Sequence, residues 1–401
     1  MPTSLAQRLS AVAPSATLAM AAKAAQLTAQ GVKVYPYSVG EPDFPTPPHV
    51  VAAAKEALDK GATRYTAVTG TPDLKAAIVD ATLRDRKHKI EPKQITVSVG
   101  AKHALFNLAC ALYEPGDEVI IPAPYWVSYP EQVRLVGATP VIAETKEETG
   151  FVLTPEELER RVTPRTKALI LCTPSNPTGA AYSKDALLAL AAVLKKGDYY
   201  VIVDEIYGDL VYGGFEHCSL AALAPDLGER LIVVDGVSKT YAMTGWRIGW
   251  SITSPRVAEA LATIQGQSTT NPAAVAQAAA AAALRGPRES VEQMRSAFER
   301  RRTLMVEGLR KVPGVKCRMP EGAFYAFADV RGLLGLRDGD SRLETDEQIA
   351  MWLLREAHAA TVAGSPFGAP GYLRFSYACS EADIQGGLAA FAAAVERAKK
   401  A

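Results

Sequence analysis

The stretch "VSKTYAMTGWRIGW" sets Lys239 beside Ser238, and Arg247 between Gly245 and Gly249, among mostly apolar or small neighbours. A lysine in such company is costly to desolvate unless something neutralises it. Two readings follow: a surface loop whose ammonium points into water, or an amine kept near the interior to do amine chemistry. Other polar residues stand where β-branched runs end. "KALILC" is followed by "TPSNPTG", with Asn176 between prolines, and "YYVIV" by "DEIYGDL", with Asp204 and Tyr207. "RLIVVDG" runs into Ser238 and Lys239, and "QITVSV" into "GAKHALFN". Free N–H groups at Gly100, Ala101 and Lys102, where that last segment opens a helix, would hold a phosphate. Asp204, where its strand ends, is poorly solvated and needs a partner. Each residue alone is more often structural: a tight turn, or an Asn satisfying local backbone. Together, four strand ends carrying Asn, Asp/Tyr and Ser-Lys around a phosphate nest describe the ligand crevice of an open α/β sheet.

Those ends must be positioned by a sheet. From about residue 94, short runs alternate with helical patterns: "QITVSV", "DEVIIP", "ATPVIAE", "KALILCT", "YYVIVDE", "RLIVVDG" and "RIGWSIT". Nearly continuous Val/Ile content marks strands covered on both faces, so an α/β fold with a mostly parallel sheet is expected. Only about eleven residues separate Asp235 from Arg247. That is barely enough for a helical crossover, so the "RIGWSIT" strand is expected to be antiparallel to its neighbours. Upstream, "SATLAMAAKAAQLTAQG" reads as a helix with Ser15 as N-cap and Gly31 past its end, and "SVGEPDFPTPP" as a crossing segment. Downstream come an alanine-rich helix, a long charged helix over about 288–311 and a strand–helix–strand–helix unit. The division expected is a large domain over 45–287, and a small α/β domain of 288–401 joined by the N-terminal segment 1–44.

Composition bounds the function. The 401 residues are 48% hydrophobic and carry a formal net charge of +1. No global field therefore argues for nucleic acid or an anionic membrane. Five scattered cysteines, with neither CxxC nor HExxH, indicate no disulfide framework and no zinc site. No GxxxxGK[ST] exists, which removes the nucleotide-hydrolase reading of "YYVIVDE". No export signal or apolar membrane span is visible. A cytoplasmic enzyme is the expectation.

At this point a resemblance emerges. "SKTYAMTGWRIG", "SNPTG", "DEIY", "GEPDFPTP", "YTAVTGTPDLKAAI", "PYWVSYP" and "LRFSYA" resemble, in order and spacing, the signatures of the class I pyridoxal-phosphate aminotransferases. The similarity runs from about Pro14 to the last helix. It is greatest to bacterial aspartate aminotransferases, some of which also act on prephenate. The resemblance implies the fold type I pyridoxal-phosphate-dependent transferase architecture, a seven-stranded large domain plus a smaller domain. It implies pyridoxal 5'-phosphate as cofactor, with Lys239 forming the Schiff base and later moving the proton. Asp204 would pair with the ring nitrogen, Tyr207 and Asn176 with the phenolic oxygen, and Trp126 would cover the ring. Ser238, Arg247, Ala101 and Lys102 would take the phosphate, joined by Tyr65 from the partner of a homodimer with shared active sites. Arg374, Asn176 and Gly40 would hold the substrate α-carboxylate. Lys102, helped by Ser15 and Thr17, would meet a distal carboxylate; Ser15 as a plain N-cap and Lys102 as a solvated lysine are the competing readings.

The activity so implied is ping-pong exchange of an amino group between aspartate, or a related amino acid, and 2-oxoglutarate. Glutamate/aspartate–prephenate or aromatic transamination, C–S β-elimination on the same fold, and a pyridoxal-binding regulator without turnover are the alternatives.

Overall fold

Val/Ile-rich runs need cover on both faces, and they receive it. The computed structural model describes residues 4–339 and 341–400. Strands β1 (Ile95–Ser98), β2 (Glu118–Ala123), β3 (Thr139–Glu144), β4 (Thr166–Cys172), β5 (Tyr200–Asp204), β6 (Leu231–Gly236) and β7 (Gly249–Ile252) form one sheet in the order β1-β7-β6-β5-β4-β2-β3. Neighbours run parallel except at β7, which is antiparallel to both β6 and β1. The short link between β6 and β7 predicts this: it holds only loop and a 3-10 turn at Thr244–Trp246.

The pleat sorts side chains onto the two faces by alternation. Ala168, Ile170, Ile202, Ile232 and Val234 pack on one face with Leu105 and Leu108 of the helix Ala101–Leu112 and Leu261 of the helix Pro255–Gly266. Leu169, Leu171, Val201 and Val203 point the other way, onto Leu187, Leu190 and Leu194 of the helix Lys184–Leu194. Fully burying one such side chain contributes about 1.5–3 kcal/mol. The alanine-rich helix Ala274–Arg285 buries Ala276, Ala279, Ala280 and Ala283 in the third part of this core, beside Leu74 and Ile78 of the helix Pro72–Arg86.

The C-terminal strands form a separate antiparallel sheet. Its strands are β8 (Lys316–Cys317), β9 (Tyr325–Asp329), β12 (Val362–Ala363) and β13 (Tyr372–Ser376), ordered β12-β13-β9-β8, with a two-residue hairpin β10 (Arg337–Asp338) and β11 (Ser341–Arg342) apart from it. The sequence predicts β9 and β13 only; β8 and β12 are two residues each, too short to show a period. The helix Glu289–Arg310 places Val291 in the core under the large sheet and Phe298, Met305 and Leu309 in the core of the small one. The N-terminal segment joins that second core: Tyr37 is fully buried there, and Ser376 N donates to its carbonyl at 2.8 Å. The helix Ala16–Ala29 is capped by Ser15, with Gly31 beyond its end, as the sequence predicts. Among the described residues no helix is long and apolar enough to cross a membrane, and no group of three or more His, Cys, Asp or Glu could hold a metal ion.

One close approach fixes the site's frame. Gly236 and Gly249 face each other across the β6–β7 ladder. A Cβ on Gly249 would lie 2.3 Å from Ala101 N, so β7 sits directly against the start of the helix Ala101–Leu112. Gly249→Ala is expected to cost about 1–3 kcal/mol, the usual range for overpacking, read as a lower denaturant midpoint. An unchanged midpoint would mean that this helix start does not rest on β7.

Candidate active site

The strand ends converge on a cavity of about 490 Å³, a volume suited to a small ligand or cofactor. Its floor is Asp204, the last residue of β5, only 3% exposed. Tyr129 Oη donates to Oδ2 at 2.7 Å and Ile206 N to Oδ1 at 3.2 Å. Burial nevertheless dominates and raises the carboxyl pKa to about 6, with those two hydrogen bonds opposing it. Such an acid binds best to a group that brings its own proton or positive charge.

Lys239 enters the cavity from the loop after β6. Its Nζ donates to Gly40 O at 2.6 Å, and burial, assisted by Arg247 and Arg374, lowers its pKa to about 8. A neutral amine, the form that acts as nucleophile or base, is thus accessible near neutrality. Tyr207 is buried against Phe324 and Tyr325, and its hydroxyl lies 3.0 Å from that of Tyr325. Burial, then Tyr325, holds its pKa well above the ordinary value, so the phenol keeps its proton and can donate it in a hydrogen bond.

Arg374, on β13, is 1% exposed. Nη1 donates to Asn176 Oδ1 at 3.0 Å and Nη2 to Ser38 O at 2.8 Å, while Nε has no partner. The rings of Tyr325 and Phe367 lie 4.5 and 5.3 Å from its guanidinium carbon. Burial lowers its pKa, yet an arginine stays charged. Neutral acceptors aim it without neutralising it, and no described carboxylate is ion-paired with it. An anion entering the cavity is the missing partner, and a planar carboxylate matches its fork.

A second anion cradle lies at the start of the helix Ala101–Leu112. The first helical N–H groups have no intrahelical acceptor, and Arg247, Ser238 and Lys102 surround them. Gly100 plays a different part from the one expected. Its φ of 83° turns its N–H onto Ser98 O at 2.7 Å, so that amide is not free. What it supplies is room: a Cβ there would lie 2.6 Å from Arg247 Nη2. Arg247 itself adopts a left-handed φ of 57°, rare outside glycine and costing of order 1–3 kcal/mol. Its bond to Thr244 O at 2.8 Å holds it there.

The structure brings most of the expected residues together. Ser15, Thr17, Gly40, Ala101, Lys102, Trp126, Asn176, Asp204, Tyr207, Ser238, Lys239, Arg247 and Arg374 all line this cavity. Ser15 does so while capping its helix, accepting from Leu18 N at 3.4 Å. Lys102 Nζ stands 4.9 Å from the Trp126 ring centre. Tyr65 lies elsewhere, 88% exposed and off the cavity of its own chain. Sequence reasoning missed Tyr129, Tyr325 and Ser38. Tyr129 had a signal, three residues after Trp126 in "PYWVSYP" and so one helical turn on. Ser38 acts through its carbonyl, which no side-chain pattern reveals.

The family model described as aminotransferase class I and II matches residues 32–391. An aspartate aminotransferase of Geobacillus stearothermophilus is 45% identical over 98% of this chain and 97% of its own. An aspartate/prephenate aminotransferase of Cereibacter sphaeroides is 47% identical over 94% of this chain and 95% of its own. Among solved structures, the aspartate aminotransferase of Rhizobium meliloti superposes with a TM-score of 0.95 at 43% identity, covering 98% of this chain and 99% of that one. That of Thermus thermophilus with maleate gives 0.92 at 43% identity, covering 98% and 100%.

Asp204 offers a test of the cavity floor. Its folded pKa of about 6 exceeds the unfolded value. Its stabilising contribution is therefore full below about pH 4 and lost as pH rises through 6. Asp204→Asn in the ligand-free protein should gain roughly 2–3 kcal/mol on wild type between pH 4 and pH 7, at about 1.4 kcal/mol per pKa unit. Denaturant midpoints of both proteins at the two pH values measure this; a pH-independent difference would refute the raised carboxyl.

Proposed function

The chain belongs to the class I and II aminotransferases, and from that premise we propose that this aminotransferase exchanges an amino group between aspartate and 2-oxoglutarate with pyridoxal 5'-phosphate bound in the cavity described. The observation that carries the reading is Arg374, a buried fork with an unpartnered Nε and neutral neighbours, beside an amine of lowered pKa.

The residues present fit the cofactor. The cradle of Ala101, Lys102, Ser238 and Arg247, with Gly100 making room, suits its phosphate. Asp204 suits a protonated ring nitrogen, Tyr207 and Asn176 the ring hydroxyl, and Trp126 the ring face. Bound there, pyridoxal phosphate supplies an aldehyde for amines and an electron sink for the bond broken at Cα. The chain does the rest. Arg374 and Asn176 bind the α-carboxylate and so fix which Cα bond faces Lys239. Lys239, as a neutral amine, would take the Cα proton and deliver it to the cofactor carbon on the other side of the substrate nitrogen. Asp204, with Tyr129 donating to it, would hold negative charge at the ring nitrogen. Electrostatic support of this kind is typically worth a few kcal/mol in the barrier.

Lys102 sits at the cavity mouth, where partial burial and then Arg247 lower its pKa. In this reading it meets the distal carboxylate, with Ser15 and Thr17 beside it, which selects four- and five-carbon dicarboxylates. The maleate bound by the Thermus thermophilus relative is such an acid. Prephenate is a second oxo acid to consider, because a further cavity of about 590 Å³ shares Ser15, Lys102 and Arg247 with the first and runs on past Phe106. The active unit is a homodimer in which the exposed Tyr65 reaches the partner's phosphate. The division into 45–287 and 1–44 with 288–401 belongs to the same reading. So does a cytoplasmic setting, which suits five free cysteines.

Two substitutions separate the carboxylate roles. Arg374→Lys should lower kcat/KM roughly 100-fold for every amino acid, because the α-carboxylate is common to all. Lys102→Ala should raise KM roughly 10- to 100-fold for aspartate and glutamate and leave alanine and phenylalanine nearly unchanged. Steady-state rates with each donor and 2-oxoglutarate decide it; an equal loss for all donors with Lys102→Ala would show that it does not read the side chain.

A further inference from the structure

Beneath the site lies an ion cluster that the chemistry above does not use. Arg86, the last residue of the helix Pro72–Arg86, is buried. Its guanidinium faces three carboxylates: Nη2 is 3.0 Å from Asp209 Oδ2 and 3.3 Å from Asp235 Oδ2, and Nε is 3.5 Å from Glu205 Oε2. The acids stand on two pieces of the site, the turn after β5 and strand β6. Glu205 follows Asp204, Asp209 lies just past Tyr207, and Asp235 stands on β6 shortly before Lys239. Gly208 admits the guanidinium, since a Cβ there would come within 2.7 Å of Nη2.

Asp209 is the junction. Besides Arg86 it accepts from Thr240 Oγ1 at 3.1 Å and from Arg288 Nη2 at 2.7 Å. Thr240 is the residue after Lys239 and is buried; Arg288 directly precedes the helix Glu289–Arg310. None of Arg86, Asp209, Asp235, Thr240 and Arg288 lines the catalytic cavity. Burying so many charges is a poor way to stabilise a fold, because well-packed apolar side chains serve as well or better. What charges add is direction: a planar fork hydrogen-bonded to Asp209 on the turn after β5 and to Asp235 on β6 fixes the mutual orientation of those two segments.

We propose that Arg86, acting through Asp209 and Thr240, is a positioning residue that holds the Lys239 loop and the Asp204 strand end in one fixed relation. The proposal rests on the roles given to Lys239 and Asp204 above. A displacement of an ångström at a reacting group is enough to cost roughly 100-fold in rate.

Thr240→Val in the holoenzyme is the gentlest test, since it removes the bond to Asp209, keeps the side-chain shape and strands no charge. Arg86→Lys keeps the charge and loses the fork. Both should lower kcat roughly 10- to 100-fold while KM for the amino acid stays within about twofold, because Arg374 is untouched. The pH midpoint of the absorbance change of the Lys239-linked cofactor should move by about half a unit or more, and Thr240→Ser should restore wild-type behaviour. If Arg86→Lys fails to fold, Thr240→Val decides alone. Wild-type kcat and absorbance titration in Thr240→Val overturn the proposal. So does a lower melting temperature with kcat per folded molecule unchanged, or failure of serine to rescue. Full turnover in Lys239→Ala would instead overturn the functional reading beneath it.

Discussion

Two of the cations that line the cavity, Lys239 and Arg374, have no ion-paired carboxylate among the described residues. Lys239 donates to the carbonyl of Gly40, and Arg374 to the carbonyl of Ser38 and the amide of Asn176. These acceptors set direction and leave the charge. Desolvating an ion without a counter-ion costs several kcal/mol, and the two side chains meet it differently. The lysine sheds part of the cost through a lowered pKa; the arginine cannot lose its proton and keeps the cost until an anion arrives. The fold is arranged around that difference. The large sheet supplies Lys239 and Asp204 from its strand ends, the small sheet supplies Arg374 from β13, and the crossing segment lays Ser38 and Gly40 between them.

The acid at the floor is governed by the same physics. Asp204 is deep enough for burial to outweigh two hydrogen bonds. Tyr129 therefore matters more than its single bond suggests, because without it only the Ile206 amide and the charge of Lys239 oppose protonation from the chain's own side. At the mouth the balance reverses. Lys102 and Arg247 are more exposed, so their charges are better screened, and their value lies in attracting and sorting anions.

Much of this was legible in the sequence because its causes are local. Continuous Val/Ile runs mark the seven strands, and the short link before Gly249 marks the antiparallel one. The polar residues that matter stand at strand ends, where a parallel sheet puts its crevice. What stayed hidden depends on long-range geometry. That Gly100 turns its amide inward and serves Arg247 instead follows from a φ and a neighbour far away in sequence. That Asn176 bonds to Arg374, 198 residues on, follows from packing of the small sheet on the large one. The pairing of Arg86 with Asp209 and Asp235 is of the same kind: each residue alone reads as an ordinary surface charge. Strands of two residues, such as β8 and β12, are below the length at which alternation can be seen.

The central claim is that Lys239 is the chain's reactive amine. Pyridoxal phosphate mixed with the purified protein, reduced with borohydride to fix any amine-linked cofactor and mapped by peptide mass spectrometry, tests it directly. The account predicts one label, on Lys239. A label on Lys102 or on scattered surface lysines, with Lys239 unmodified, would contradict it.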